Sequence, residues 1–256
     1  MLQNADLIFW VGEDLESFLE KPLKSIAKKA EKIELMEIKG LNKLEFRERN
    51  IFEEHDDHKE HGHKEDEHGH KEDEHGHKED EHGHDEHAHG EHDPHIWLDP
   101  MNAKVILSEM AEHLIENDSK NEAKYKANLK RAHKDLDQLT KKVKSELNKD
   151  FKSIVFHDAY QYFEKRFDIN VLGAFTVNTD VMPGAEQLAE IREVIEHDKV
   201  SCVFSEPQFN PDIIKAVAKD TNIATGVIDP LGATLNPGKD LYFDLIGNMS
   251  KSFKGC

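Results

Sequence analysis

Hydrophobic positions fall into two regimes along the chain. Leu7–Gly12 is an uninterrupted apolar run closed by glycine, which predicts a buried strand of the parallel-sheet kind. Residues Leu15, Phe18, Leu19, Leu23 and Ile26 then recur at helical spacing, and Ile33–Ile38 is a second short apolar run, so the chain opens inside a βαβ pattern. Beyond His95 the periodicity turns helical. Asn102–Glu116 reads as an amphipathic helix. Ser119–Asn148 reads as a longer one, with Tyr125, Leu129, Ala132, Leu136, Leu139, Val143 and Leu147 on one stripe. About 30 residues at ~1.5 Å each span roughly 45 Å, enough to tie two domains together.

The second half alternates between the two periods. Strands are predicted over Ser153–His157, Asn170–Phe175, Val200–Ser205 and Ile223–Ile228. Helices are predicted over Ala159–Phe167, Ala185–Glu196, Pro211–Asp220 and Asp240–Phe253. Four βα units argue an α/β protein with a parallel sheet covered on both faces. Ligands of such sheets bind beyond the carboxyl ends of the strands.

Between the two regimes lies a stretch with neither period. HGHKEDE occurs three times unchanged, from His61, His68 and His75, and decays to HGHDEHA at His82. The repeat is seven residues long but no heptad position is apolar, which excludes a coiled coil. With nothing to bury, residues 53–93 are expected to form a disordered loop. From Ile51 to Asp93 there are 18 acidic side chains, four lysines and 13 of the 18 histidines, so this stretch supplies most of the net charge of −19. The remainder is an ordinary, mildly acidic globular body.

Charge and length exclude several classes. No basic face exists to hold nucleic acid. No apolar run approaches the ~18 residues of a membrane span. The opening residues carry acids where a secretory signal needs positive charge. Nucleotide-binding glycine loops, a GxSxG elbow, CxxC and HExxH are all missing, so no enzyme is indicated. Cys202 and Cys256 are compatible with one disulfide or with two unrelated thiols.

Candidate chemistry sits at strand ends. His157 closes SIVFHD, Glu206 closes SCVFSEP and Asp229 closes TGVIDP, while His95 precedes the first helix in HIWLDP. Two imidazoles and a carboxylate suit zinc, or manganese where more oxygen is supplied. In the repeat, His61, His63, His68, His70, His75, His77, His82 and His84 stand in i, i+2 pairs able to chelate zinc, copper, nickel or cobalt without a preformed fold. That binding needs neutral imidazole and should fail below about pH 6.5.

These segments together carry a family resemblance. ADLIFWVGEDLESFLEK, the acidic His-rich loop, HIWLDP, FHDAYQYFEKRF, SCVFSEPQF and DPLG, in that order, resemble the cluster A-I metal-binding periplasmic solute-binding proteins, in particular the zinc-binding components of ZnuABC-type ABC importers. The resemblance implies two α/β lobes joined by a rigid helix: residues 1–118, a link over 119–149, and residues 150–256. It implies a zinc-capturing monomer that delivers Zn²⁺ to a membrane permease, with Mn²⁺ less favoured. Carried over residue by residue, it makes His95, His157 and Asp229 the metal ligands, sets Glu206 behind them, and pairs Cys202 with Cys256. The family begins with a signal peptide, further strands and another histidine ligand ahead of LQNADL. The resemblance therefore implies a shortened chain with an incomplete first lobe. Two rival readings remain: a metal buffer acting through the His-rich loop, and a metallohydrolase around an open zinc position.

Overall fold

Apolar runs bounded by glycine and charge become strands in the computed structural model, which describes residues 2–52 and 91–256. The described residues belong to one unit by their contacts. The His-rich repeat, with its eight candidate histidines, lies outside the described residues.

A short parallel pair comes first: β1 (Leu7–Trp10) beside β2 (Glu31–Glu34), linked by α1 (Glu13–Glu16) and α2 (Glu20–Ser25). Only Trp10 of β1 is buried, where the apolar run predicts burial throughout. Among the described residues β1 pairs with β2 alone, so Leu7, Ile8 and Phe9 stay partly exposed. The second run is strand only to Glu34, then turns into a 3₁₀ segment, Leu35–Glu37, that buries Met36.

Two helices follow. α3 (Pro100–Asn117) is capped by Asp99, whose carboxylate accepts from Met101 N at 2.8 Å, with proline at the first helical position. α4 (Glu122–Glu146) is shorter than its sequence pattern predicts, because Ser119–Asn121 forms a 3₁₀ turn held by Asp118. Leu136 and Val143 are the buried centre of its apolar stripe. The helix packs against both α3 and the helix over Leu241–Gly255 near the end of the chain.

The larger sheet has the order β4-β3-β5-β6, all parallel: β3 (Lys152–His157), β4 (Asn170–Thr176), β5 (Cys202–Ser205) and β6 (Ala224–Val227). Intervening helices are α5 (Gln161–Phe167), α6 (Ala185–His197) and α7 (Asp212–Thr221), and α8 (Leu241–Gly255) ends the chain. Alternation along β3 divides the core. Ile154 and Phe156 join Ile191, Val194, Ile214 and Val217 of α6 and α7. Val155 joins Phe163, Phe167, Met249 and Phe253 of α5 and α8, together with Ile96 and Leu98 from the segment before α3.

Two stretches of the chain outside the named strands fix the approach to the site. Asn50–Phe52 runs antiparallel along the free edge of β4, with Ala174 N donating to Asn50 O and Phe52 N to Leu172 O, both at 2.8 Å. Gly173 permits this, since a Cβ there would stand 2.5 Å from Asn50 O. On the far side of the His-rich stretch, Glu91–Asp93 pairs with Leu44–Phe46. The expected loop therefore gives way to order before residue 93: Asp93 is fully buried, because its backbone bonds to Leu44 and its side chain to His95. Cys202 and Cys256 form a disulfide joining β5 to the last residue of the chain.

Candidate metal centre

His95 sits on a taut segment between Asp93 and Asp99. Ile96 and Leu98 are buried without exposure and anchor it in the core. Trp97 donates from Nε1 to Pro230 O at 2.9 Å, and its carbonyl accepts from Tyr242 at 2.8 Å. Arg166 grips Asp99 with two bonds of 2.6 Å. Tyr162 donates to Asp93 O at 2.7 Å. The segment that carries His95 is thus pinned by α5, α8 and the loop after β6.

His157 is the last residue of β3, and Glu206 follows β5, its neighbour in the sheet. Adjacent parallel strands ending together bring the two side chains within reach. Glu206 Oε1 lies 2.7 Å from His157 Nδ1 and accepts from His157 N at 3.3 Å. Asp93 repeats the pattern on His95: its Oδ1 is 2.6 Å from Nδ1 and 2.9 Å from the backbone N. Both carboxylate side chains are wholly buried, while the imidazoles keep 11% and 12% exposure. The rings of His95 and His157 face one another at 5.4 Å between centroids, flanked by Trp97 on one and Phe209 on the other.

Asp229 occupies the turn after β6. It accepts from Gln208 Nε2 at 2.8 Å and from Leu231 N, Thr234 N and Thr234 Oγ1 at 3.2 Å each. Burial pushes its carboxyl up, but the bonds from Thr234, Gln208, Ala233 and Leu231 outweigh that and hold it below the ordinary value. Beside it is a cavity of about 240 Å³ lined by Pro207, Thr234, Leu235, Leu245 and Met249, with neither histidine in its wall. Among the described residues no three His, Cys, Asp or Glu side chains form a ready-made metal-binding group. The fold brings His95 and His157 together, and leaves Asp229 occupied by its own turn.

Behind the histidines is an ionic cluster that sequence patterns do not reveal. Arg47 bonds to Asp158 Oδ1 at 2.9 Å and to both oxygens of Glu164 at 3.1 and 2.7 Å, and stacks over Phe52 at 3.9 Å. Burial, opposed by Arg47, pushes Asp158 up to about 6 and Glu164 up to about 7. Tyr160 is fully buried against Glu206, and burial and that charge raise its phenol well above the ordinary value. Asp93 was the other hidden member. Its usable signal is local: an aspartate two residues before a histidine can accept from both the backbone and the ring N–H of that histidine.

The chain is similar to known proteins in sequence and in fold. A family model described as ZnuA, zinc-uptake complex component A, periplasmic, matches residues 1–256. A curated relative, the high-affinity zinc uptake system protein ZnuA of Brucella abortus (strain 2308), is 46% identical over 263 residues, covering all of this chain and 78% of that protein. The protein of the same name from Yersinia pestis is 38% identical, covering 76% of its length. In structure, a crystal structure of ZnuA superposes with a TM-score of 0.72 at 21% identity, over 99% of this chain and 79% of the other. A Mn-bound periplasmic metal binding protein from candidatus liberibacter asiaticus gives 0.71 at 18% identity, over 99% and 81%. Those two share the fold. Among the described residues no helix is long and apolar enough to cross a membrane. The chain belongs to the ZnuA family, the periplasmic component A of zinc-uptake complexes.

Proposed function

We propose that this protein captures Zn²⁺ in the periplasm and hands it to the permease of an ABC importer. The observation that carries the reading is the facing pair of imidazoles, His95 and His157, each backed by a buried carboxylate. Nitrogen donors favour zinc over manganese, whose preferred ligands are oxygens. Asp229 is the proposed third ligand, recruited when the cation outcompetes Gln208 and Thr234 for its oxygens. Glu206 stays behind His157 as an orienting group. The cation is cargo, and no bond within a substrate is made or broken. In this reading residues 1–118 and 150–256 are the lobes and 119–149 the link, which the packing of α4 on both α3 and α8 supports. A disulfide suits an oxidising compartment.

Metal buffering by the repeat is the second reading, favoured by three unchanged HGHKEDE copies. A zinc titration against a competing chelator separates the two. The proteins compared are the full chain, the single variants His95→Ala and His157→Ala, and a chain lacking residues 54–90 but keeping 91–93. We expect one tight equivalent to survive removal of 54–90 and to vanish in either alanine variant. Tight binding that disappears with 54–90 and persists in His95→Ala would establish buffering instead.

A further inference from the structure

We infer that Asp93 is the positioning residue of His95: it holds the imidazole as the Nδ1–H tautomer and so commits Nε2 to the cation. This rests on the reading of His95 as a ligand. The argument is geometric. Asp93 Oδ1 accepts the His95 backbone N–H at 2.9 Å, and the same oxygen lies 2.6 Å from Nδ1. An oxygen already accepting one N–H is the acceptor for the other, so Nδ1 carries the hydrogen and a neutral ring presents its lone pair at Nε2. The backbone of Asp93 is held on both sides. Its N–H donates to Leu44 O at 2.8 Å, its carbonyl accepts from Tyr162 at 2.7 Å, and the Tyr162 hydroxyl in turn accepts from Leu44 N at 3.1 Å. Pro94 follows and fixes the next backbone angle.

The same device occurs at an unrelated place in the chain. Glu206 Oε1 engages both the backbone N and Nδ1 of His157, but from an adjacent strand rather than from two residues away. Two different routes to one arrangement indicate that the arrangement matters for the pair. Each histidine offers Nε2, and each carries a carboxylate at Nδ1 that orients the ring and adds negative charge behind a divalent cation. Among the described residues Asp93 Oδ2 has no hydrogen-bond partner, which a role in packing alone would not require.

The test uses the full chain, ¹⁵N-labelled and zinc-free at pH 7.5, with the His95 ring signals identified by comparison with His95→Gln. Two-bond ¹H–¹⁵N spectra should find Nδ1 protonated and Nε2 bare, with Nε2 shifting on addition of zinc. In Asp93→Asn and Asp93→Ala the ring should relax to a mixture of tautomers, and zinc affinity should fall about 10- to 100-fold. The His157 signals should keep their wild-type tautomer. A wild-type Nε2–H tautomer overturns the inference without any variant having to fold. Unchanged affinity in both folded Asp93 variants overturns it as well. If His95→Ala also binds zinc as tightly as wild type, the failure lies instead with His95 as a ligand.

Discussion

Arg47 serves two buried carboxylates at once, and at the scale of single residues it is where stability and pH meet. Glu164 and Asp158 are both pushed up by burial, drawn back by Arg47 and pushed up again by Asp93; Asp158 also raises Glu164, while His95 draws Asp158 down. Glu164 has an ordinary value of 4.5 and stands at about 7 in the folded protein, so the native state holds this proton more tightly than the unfolded chain does. Its contribution is complete below the ordinary value and is lost as pH rises through about 7. We expect the urea midpoint of the zinc-free protein to fall between pH 4.5 and 7 more steeply than that of Glu164→Gln, which lacks the titration; parallel profiles would refute this. Removing the cation is harsher. Arg47→Ala strands two acids in the core and should cost about 3 kcal/mol, toward the low end for a broken buried pair because Arg47 is 22% exposed. The readable part of the site follows from position. His157, Glu206 and Asp229 stand at the ends of recognisable strands, where an α/β sheet keeps its ligands. Asp93 was hidden because its neighbours are acids of the repeat, and composition there masks one carboxylate with a different task. Arg47 lies in no periodic segment, so only the folded structure connects it to Asp158 and Glu164, more than 100 residues away.

Among the elements, β5 is short and depends on its tie to α8. The Cys202–Cys256 bridge closes a separation of 54 residues, which by chain entropy is worth about 4 kcal/mol. Reduction, or Cys202→Ala with Cys256→Ala, should lower stability by about 2–4 kcal/mol in denaturant melts, with zinc affinity retained if α8 only braces the sheet. Asp99 makes a comparable point for α3. It caps the helix and receives Arg166, so Asp99→Ala should cost about 1–2 kcal/mol and loosen the segment bearing His95. Strands β3, β4 and β5 were legible because their residues are largely buried and the sequence shows it as nearly solid apolar runs, whereas Ala224, Thr225 and Val227 of β6 are exposed. The first strand misled for the same reason. LIFW is as apolar as β5, yet it pairs on one side only. Periodicity reports the tendency to be buried, while the neighbours decide the outcome. The expected helix Ser119–Asn148 runs past both ends of α4, because a 3₁₀ turn after Asp118 precedes the helix and Leu147, the last residue of the stripe, already has extended backbone.

For the molecule as a whole, the cation and the fold should stabilise one another. His95 rides on a segment secured by Tyr162, Arg166, Pro230 and Tyr242, and His157 ends a central strand, so a cation held by both rings cross-links parts of the chain more than 60 residues apart. Binding only to the native state adds about 4 kcal/mol at a free concentration a thousandfold above Kd. The segment is already pinned without the cation, so little ordering entropy weakens the affinity itself. We therefore expect saturating zinc to raise the unfolding free energy by nearly the amount computed from the measured Kd, in a chain lacking residues 54–90 so that the repeat cannot contribute. His157→Ala should abolish the increase. A gain several kcal/mol smaller than mass action requires would mean that the cation also binds the unfolded chain, and that the cross-link is not specific to the native fold.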